Sequence, residues 1–158
     1  MATKKKKKTN EIEIVNRKAK YEYHFDSTYE AGIMLTGTEV KSIRNGQANL
    51  SDAYCVFEDG ELYVRSLFIS EYNFANQFNH ETRRTRKLLL KRQELRKLEK
   101  KVKERGFTII PYRVYMNDRN YVKVEIALGQ GKKSYDKRNS IKEKDTKRDL
   151  DRIKKIRL

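Results

Sequence analysis

Cysteine and proline each occur once, histidine twice, and no apolar run reaches the roughly 18 residues a membrane helix needs. A lone Cys55 excludes an intramolecular disulfide and a cysteine-rich zinc site. Its place in Ala53-Tyr54-Cys55-Val56-Phe57 reads as a small buried residue. His24 lies in an alternating stretch and His80 in a polar one, so both read as structural or solvated, and no metal-ligand spacing accompanies them. Gly129-Gln130-Gly131-Lys132 lacks the longer spacing of a phosphate loop. No catalytic residue, metal or cofactor is assigned. Without a signal-peptide core or a strongly apolar helix face, the chain reads as cytoplasmic, with no membrane partner.

Acidic residues are also in deficit. Lys and Arg number 38 against 22 Asp and Glu, and the net charge of +16 is concentrated at the ends. The first eleven residues hold five lysines against one glutamate, and residues 130–158 hold twelve cations against five carboxylates. Such a distribution favours a polyanion, because each cation near a phosphate releases a condensed counterion. Residues 1–11 read as a disordered basic arm, 12–129 as one folded domain, and 130–158 as a basic tail that is disordered when free.

Within 12–129, Tyr21 to Phe25 alternates as a half-buried strand, and Ala31 to Leu35 is a second apolar stretch. Thr36 and Glu39 have capping-box spacing. They predict a short helix with Val40 and Ile43 inward, closed by Asn45-Gly46. Ala53–Phe57 and Leu62–Ile69 form a hairpin around Asp59-Gly60, and 70–87 is a long loop. Lys91–Arg105 is an amphipathic helix with Leu95, Leu98 and Val102 on one stripe, stopped by Gly106. Phe107–Met116 and Tyr121–Leu128 make another hairpin, in which Pro111 marks an edge or a bulge. The sum is mainly β: an OB-fold-like small barrel of about six strands with two or three short helices.

Aromatics and cations interleave at Tyr21, Tyr23, Phe74, Phe78, Arg83, Arg84, Arg86 and Lys87. RNA-binding surfaces use this mixture, cations for phosphates and rings for unpaired bases. From pattern alone, Leu89 is as good a core residue as a contact, and Glu30 as good a surface charge.

Several ordered motifs then coincide: Asn16-Arg17-Lys18-Ala19, Tyr29-Glu30-Ala31-Gly32, Gly37-Thr38-Glu39-Val40-Lys41-Ser42, Asn49-Leu50-Ser51-Asp52, Arg86-Lys87-Leu88-Leu89-Leu90, and Gly131-Lys132-Lys133 before Asp136-Lys137-Arg138. In this set and order the chain resembles the SsrA-binding protein family (small protein B), bacterial partners of transfer-messenger RNA. The resemblance implies a non-enzymatic adaptor. Its OB-fold barrel binds the transfer-RNA-like domain of that RNA through Glu30, Leu89 and Lys123, with Arg84, Arg86 and Lys87 beside them. It delivers the RNA to stalled ribosomes for trans-translation; a general OB-fold single-strand binder is the alternative. The implied ribosome-binding tail comprises Gly131, Lys132, Lys133, Tyr135, Asp136, Lys137, Arg138 and Ile153, becoming helical on the small subunit and its ribosomal RNA. Elongation factor Tu is an indirect partner through the alanylated RNA, and the protein is expected to be monomeric. Two departures stand out: Tyr135 replaces a His common in the family, and Glu125 stands where some members carry a second cation.

Overall fold

A computed structural model describes residues 12–75, 78–104 and 106–156. The expected basic arm at 1–11 lies outside the described residues. Among the described residues, nine strand segments and four helices follow in the order β1 (Glu13–Val15), α1 (Arg17–Glu22), β2 (Tyr23–Ile33), α2 (Gly37–Arg44), β3 (Ala48–Asn49), β4 (Tyr54–Glu58), β5 (Glu61–Arg65), β6 (Phe68–Ile69), β7 (Arg86–Leu89), α3 (Arg92–Lys103), β8 (Phe107–Met116), β9 (Val122–Gly131) and α4 (Ser134–Ile156).

Seven strands form one antiparallel sheet in the order β1-β8-β9-β2-β7-β5-β4, and β3 pairs with β6. The sheet curls until β4, at one end, comes against β8, so its concave face surrounds the core. Leu62, Val64, Leu88, Leu98, Val124 and Ile126 are fully buried there. Burying each such side chain stabilises the fold by about 1.5–3 kcal/mol before conformational entropy is charged against it. No helix among the described residues is long and apolar enough to cross a membrane.

The mainly β expectation holds, with differences that have local causes. Tyr21 and Glu22 end a helix rather than begin a strand, because the Asn16 side-chain oxygen accepts the Ala19 N–H at 3.2 Å and caps α1. The two apolar pieces expected around 21–35 are one eleven-residue strand, β2. The strand expected over 62–69 breaks at Ser66, whose φ of +58° turns the chain and separates β5 from β6. Strand segments therefore outnumber the six expected. Helix α2 starts as its sequence predicts: the Glu39 carboxylate accepts the Thr36 N–H at 2.8 Å. Pro111 sits opposite Ile126 of β9 at a register shift in β8 and beyond the residues paired with the short β1, where an irregular ladder tolerates its missing N–H.

Strand β9 also runs further than Gly129, to Gly131 paired with Tyr23. At Gly129 a Cβ would lie 2.6 Å from the His24 carbonyl oxygen, beside the register shift at Phe25–Ser27, so the backbones approach where only glycine fits. Within the segment expected to be disordered, Ser134–Ile156 form one 23-residue helix, α4, with no buried residue. Its lysine- and arginine-rich sequence favours helix, and i,i+3 pairs such as Arg148–Asp145 (3.9 Å) and Arg152–Asp149 (3.7 Å) support it.

Cys55 is buried, and loss of water around the thiolate pushes its pKa far up. Folded protein should resist a thiol reagent, with labelling that tracks unfolding as urea is added. Rapid labelling in native buffer would contradict this placement.

Candidate nucleic-acid interface

Glu30, Leu89 and Lys123 are 93 residues apart at the extremes of sequence, yet three strands bring them to one place. Gly32 on β2 stands directly across from Leu89 on β7 and from Lys123 on β9, while Glu30 is two residues before it and so on the same face. These residues, with Leu90, Lys91 and Glu94, line one open depression. Lys123 Nζ lies 4.0 Å from Glu30 Oε1. Leu89 is 49% exposed, which decides between core and surface in favour of the surface. Gly32 lets the two strands meet closely here: an added Cβ would sit 3.2 Å from Leu89 Cβ, so the leucine would have to give by a few tenths of an ångström.

Sequence reasoning missed Tyr115. It pairs with Lys123 across β8–β9, and its hydroxyl donates a short hydrogen bond to Glu30. Burial, and then the Glu30 carboxylate, push its pKa up to about 12. Arg113 covers the Tyr115 ring, its guanidinium carbon 4.5 Å from the centroid. The available signal was period-2 alternation in β8, which puts residues 113 and 115 on one face, but the register with β9 was needed to show what they meet.

Glu125 now has a role. It accepts Arg113 Nε at 2.8 Å and Arg113 Nη2 at 2.7 Å, and Glu13 accepts Arg113 Nη1 at 3.0 Å. This face therefore holds Lys123 and Arg113 against Glu30, Glu125 and Glu13. It is not a bare cationic strip. Lys123 can meet a phosphate, whereas Glu30 and Tyr115 form a fixed acceptor–donor pair suited to the polar edge of a base.

Parity along β7 sorts the remaining cations, and Arg86 must be corrected. Residues 86 and 88 point inward, and 87 and 89 outward. Arg86 is fully buried: its guanidinium donates to Glu39 Oε1 at 2.7 Å and to the Leu67 carbonyl at 2.7 Å. It cannot reach a phosphate. Arg84 is partly exposed but donates to both Glu39 oxygens, at 3.1 and 2.9 Å. Lys87 lies at the surface with its Nζ 3.6 Å from Glu61. Burial alone would raise the Glu39 pKa, but the bonds from Arg84, the Thr36 N–H and Arg86 outweigh it and hold the carboxyl at about 2. His80 joins this structural region, its Nε2 meeting the Ile69 carbonyl and its Nδ1 the Thr38 hydroxyl, both at 2.9 Å.

The tail residues gather elsewhere. Gly131 is eight residues beyond Lys123 on β9, roughly 26 Å at strand rise. Lys132 Nζ donates to Ser140 Oγ at 3.2 Å, and Asp136 lies 3.5 Å from His24 Nε2. Gly131, Lys133, Lys137 and Arg138 stand in the same short stretch, at the end of β9 and in the first turns of α4. Tyr135 is 60% exposed and Ile153 is exposed further along α4. The structure thus separates the two groups of expected site residues by the length of a strand.

A family model described as SmpB protein matches residues 13–156. SsrA-binding protein of Christiangramia forsetii is 53% identical over 146 residues, covering 92% of this chain and 93% of the relative. That of Desulforamulus reducens is 55% identical over 142 residues, covering 90% and 88%. A chain from a solved structure presented as "tmRNA-SmpB: a journey to the center of the bacterial ribosome" superimposes with a TM-score of 0.66. It is 46% identical, covering 78% of this chain and 86% of that one.

Proposed function

Because this chain belongs to the SmpB protein family, we propose that it binds transfer-messenger RNA and delivers it to stalled ribosomes for trans-translation. The observation that carries the reading onto particular residues is the convergence of Glu30, Leu89 and Lys123, from three strands, on one exposed depression. On this reading the curled sheet is an OB-like platform for the transfer-RNA-like domain. Lys123 meets a backbone phosphate, Leu89 supports an unstacked base, and Glu30, oriented by Tyr115, accepts from a base edge. Three carboxylates on the same face discourage indiscriminate attraction to polyanions, which favours selective recognition over general single-strand binding.

The protein acts as an adaptor rather than an enzyme, works as a monomer in the cytoplasm, needs no cofactor, and meets elongation factor Tu through the alanylated RNA. Helix α4 and its approach, from Gly131 to Arg138 and on to Ile153, address the small subunit. With no buried residue, α4 has little of its own to hold it, so ribosomal RNA that neutralises its cations supplies the stabilisation.

Affinity for transfer-messenger RNA, measured against excess unrelated structured RNA, tests the reading. Wild type should hold the specific RNA. Lys123→Ala should bind about tenfold more weakly and reduce the salt slope by about one. Equal displacement by unrelated RNA would leave only a general binder.

A further inference from the structure

Two phenylalanines in the connection between β6 and β7 lie almost wholly in solvent. Phe74 is 84% and Phe78 is 89% exposed, although each ring in water forgoes the burial that normally places phenylalanine inside. The described residues on either side of the two rings are held by specific contacts. Asn79 clamps its base, accepting the Tyr72 N–H at 3.3 Å and donating to the Tyr72 carbonyl at 3.1 Å. The Ile69 N–H donates to the Thr82 carbonyl at 2.9 Å, and buried His80 ties the connection to α2 and β6. Tyr72 packs edge-on against Phe74, ring centroids 5.7 Å apart, and Lys41 Nζ lies 5.3 Å from the Tyr72 centroid.

We propose that Phe74 and Phe78 form a second RNA contact, stacking on unpaired bases of the same RNA that Leu89 and Lys123 engage. The inference rests on the RNA-binding reading above and extends it to a surface that reading does not use. Aromatic faces held beside cations are what a single-stranded nucleic acid requires, since rings take bases and ammonium groups take phosphates. Continuity with the first site points to the same RNA. The connection runs directly into β7, and Leu89 is seven residues beyond Thr82, at most about 25 Å of chain. Exposed Met34 lies along the last part of that path, its N–H donating to the Lys87 carbonyl at 3.0 Å and its carbonyl accepting Arg84 Nη2 at 3.3 Å.

The test is binding of the full chain to labelled transfer-messenger RNA, with melting temperature as a control for folding. Phe74→Ala with Phe78→Ala should weaken binding at least about tenfold at unchanged stability. Trp at both positions should bind within about twofold of wild type, and Leu at both should be as weak as Ala. Wild-type affinity in the Ala pair overturns the inference; if ribosomal tagging nevertheless falls, the rings serve the ribosome instead. Wild-type affinity in the Leu pair overturns it too, because apolar contact without stacking is then sufficient. Lys123→Ala is measured alongside. If it weakens binding while the Ala pair does not, this inference alone falls; if wild type shows no preference for this RNA, the function falls with it.

Discussion

Glu39→Gln is expected to destabilise the fold by about 3–5 kcal/mol, a large part of the whole stability of a domain this size. The substitution keeps the shape of the side chain but leaves Arg86, fully buried and bonded by Glu39 at 2.7 Å, as a charge without its counter-ion. Urea unfolding checks it, and a loss below about 1 kcal/mol would show that the cluster is not what holds β7 to α2. Acid should reproduce part of the effect in wild type. Glu39 has a folded pKa of about 2 against an ordinary 4.5, so the unfolded chain takes up the proton first. Its stabilising contribution is complete above pH about 4.5 and disappears as pH falls toward 2, amounting to about 3 kcal/mol. Stability measured from pH 5 to 2 should therefore fall more steeply in wild type than in Glu39→Gln, where that proton has no place to bind.

Replacing Asp136, Lys137 and Arg138 together with Ala should abolish peptide tagging on stalled ribosomes while leaving affinity for transfer-messenger RNA within about twofold. The reason is spatial. These residues stand beyond the far end of β9 from Lys123, a separation of roughly 26 Å between Lys123 and Gly131, and no strand carries them toward the depression. Glu30→Ala and Lys123→Ala should fail in the opposite order, losing RNA first. A triple variant that binds RNA tenfold more weakly would mean that the tail shares the first contact. Asp136 also touches His24 at 3.5 Å, so Asp136→Asn alone separates that contact from the cationic pair.

Both predictions concern places where a strand's neighbours, not its own residues, determine the outcome. In Arg84-Thr85-Arg86-Lys87-Leu88-Leu89-Leu90, alternation is evident from the letters, and so is the requirement that alternate residues share a face. Placing Arg84, Arg86 and Lys87 together beside the RNA contact ignores this parity. Leu88 in the core puts Arg86 there too, and the buried Glu39 that makes this tolerable was legible only as a helix cap. Tyr115 and Arg113 likewise were unremarkable letters in a β hairpin until register placed them beside Lys123 and Glu125.

Sequence by itself determined the local elements whose cause lies within a few residues: the Thr36–Glu39 start of α2, the Asp59-Gly60 turn, the apolar stripe of α3, and an irregularity at Pro111, either edge or bulge. The ordered motifs also determined the family, because their combination is far more specific than any one of them. Tertiary structure decided which face of each strand is inside, that Leu89 lies over Gly32 at the surface, and that Glu30 is held by Tyr115. The physical reason is that side chains alternate with period two. A register change of one residue would exchange every inward and outward group, and register is set by strand pairings between segments as far apart in sequence as Tyr23 and Gly131.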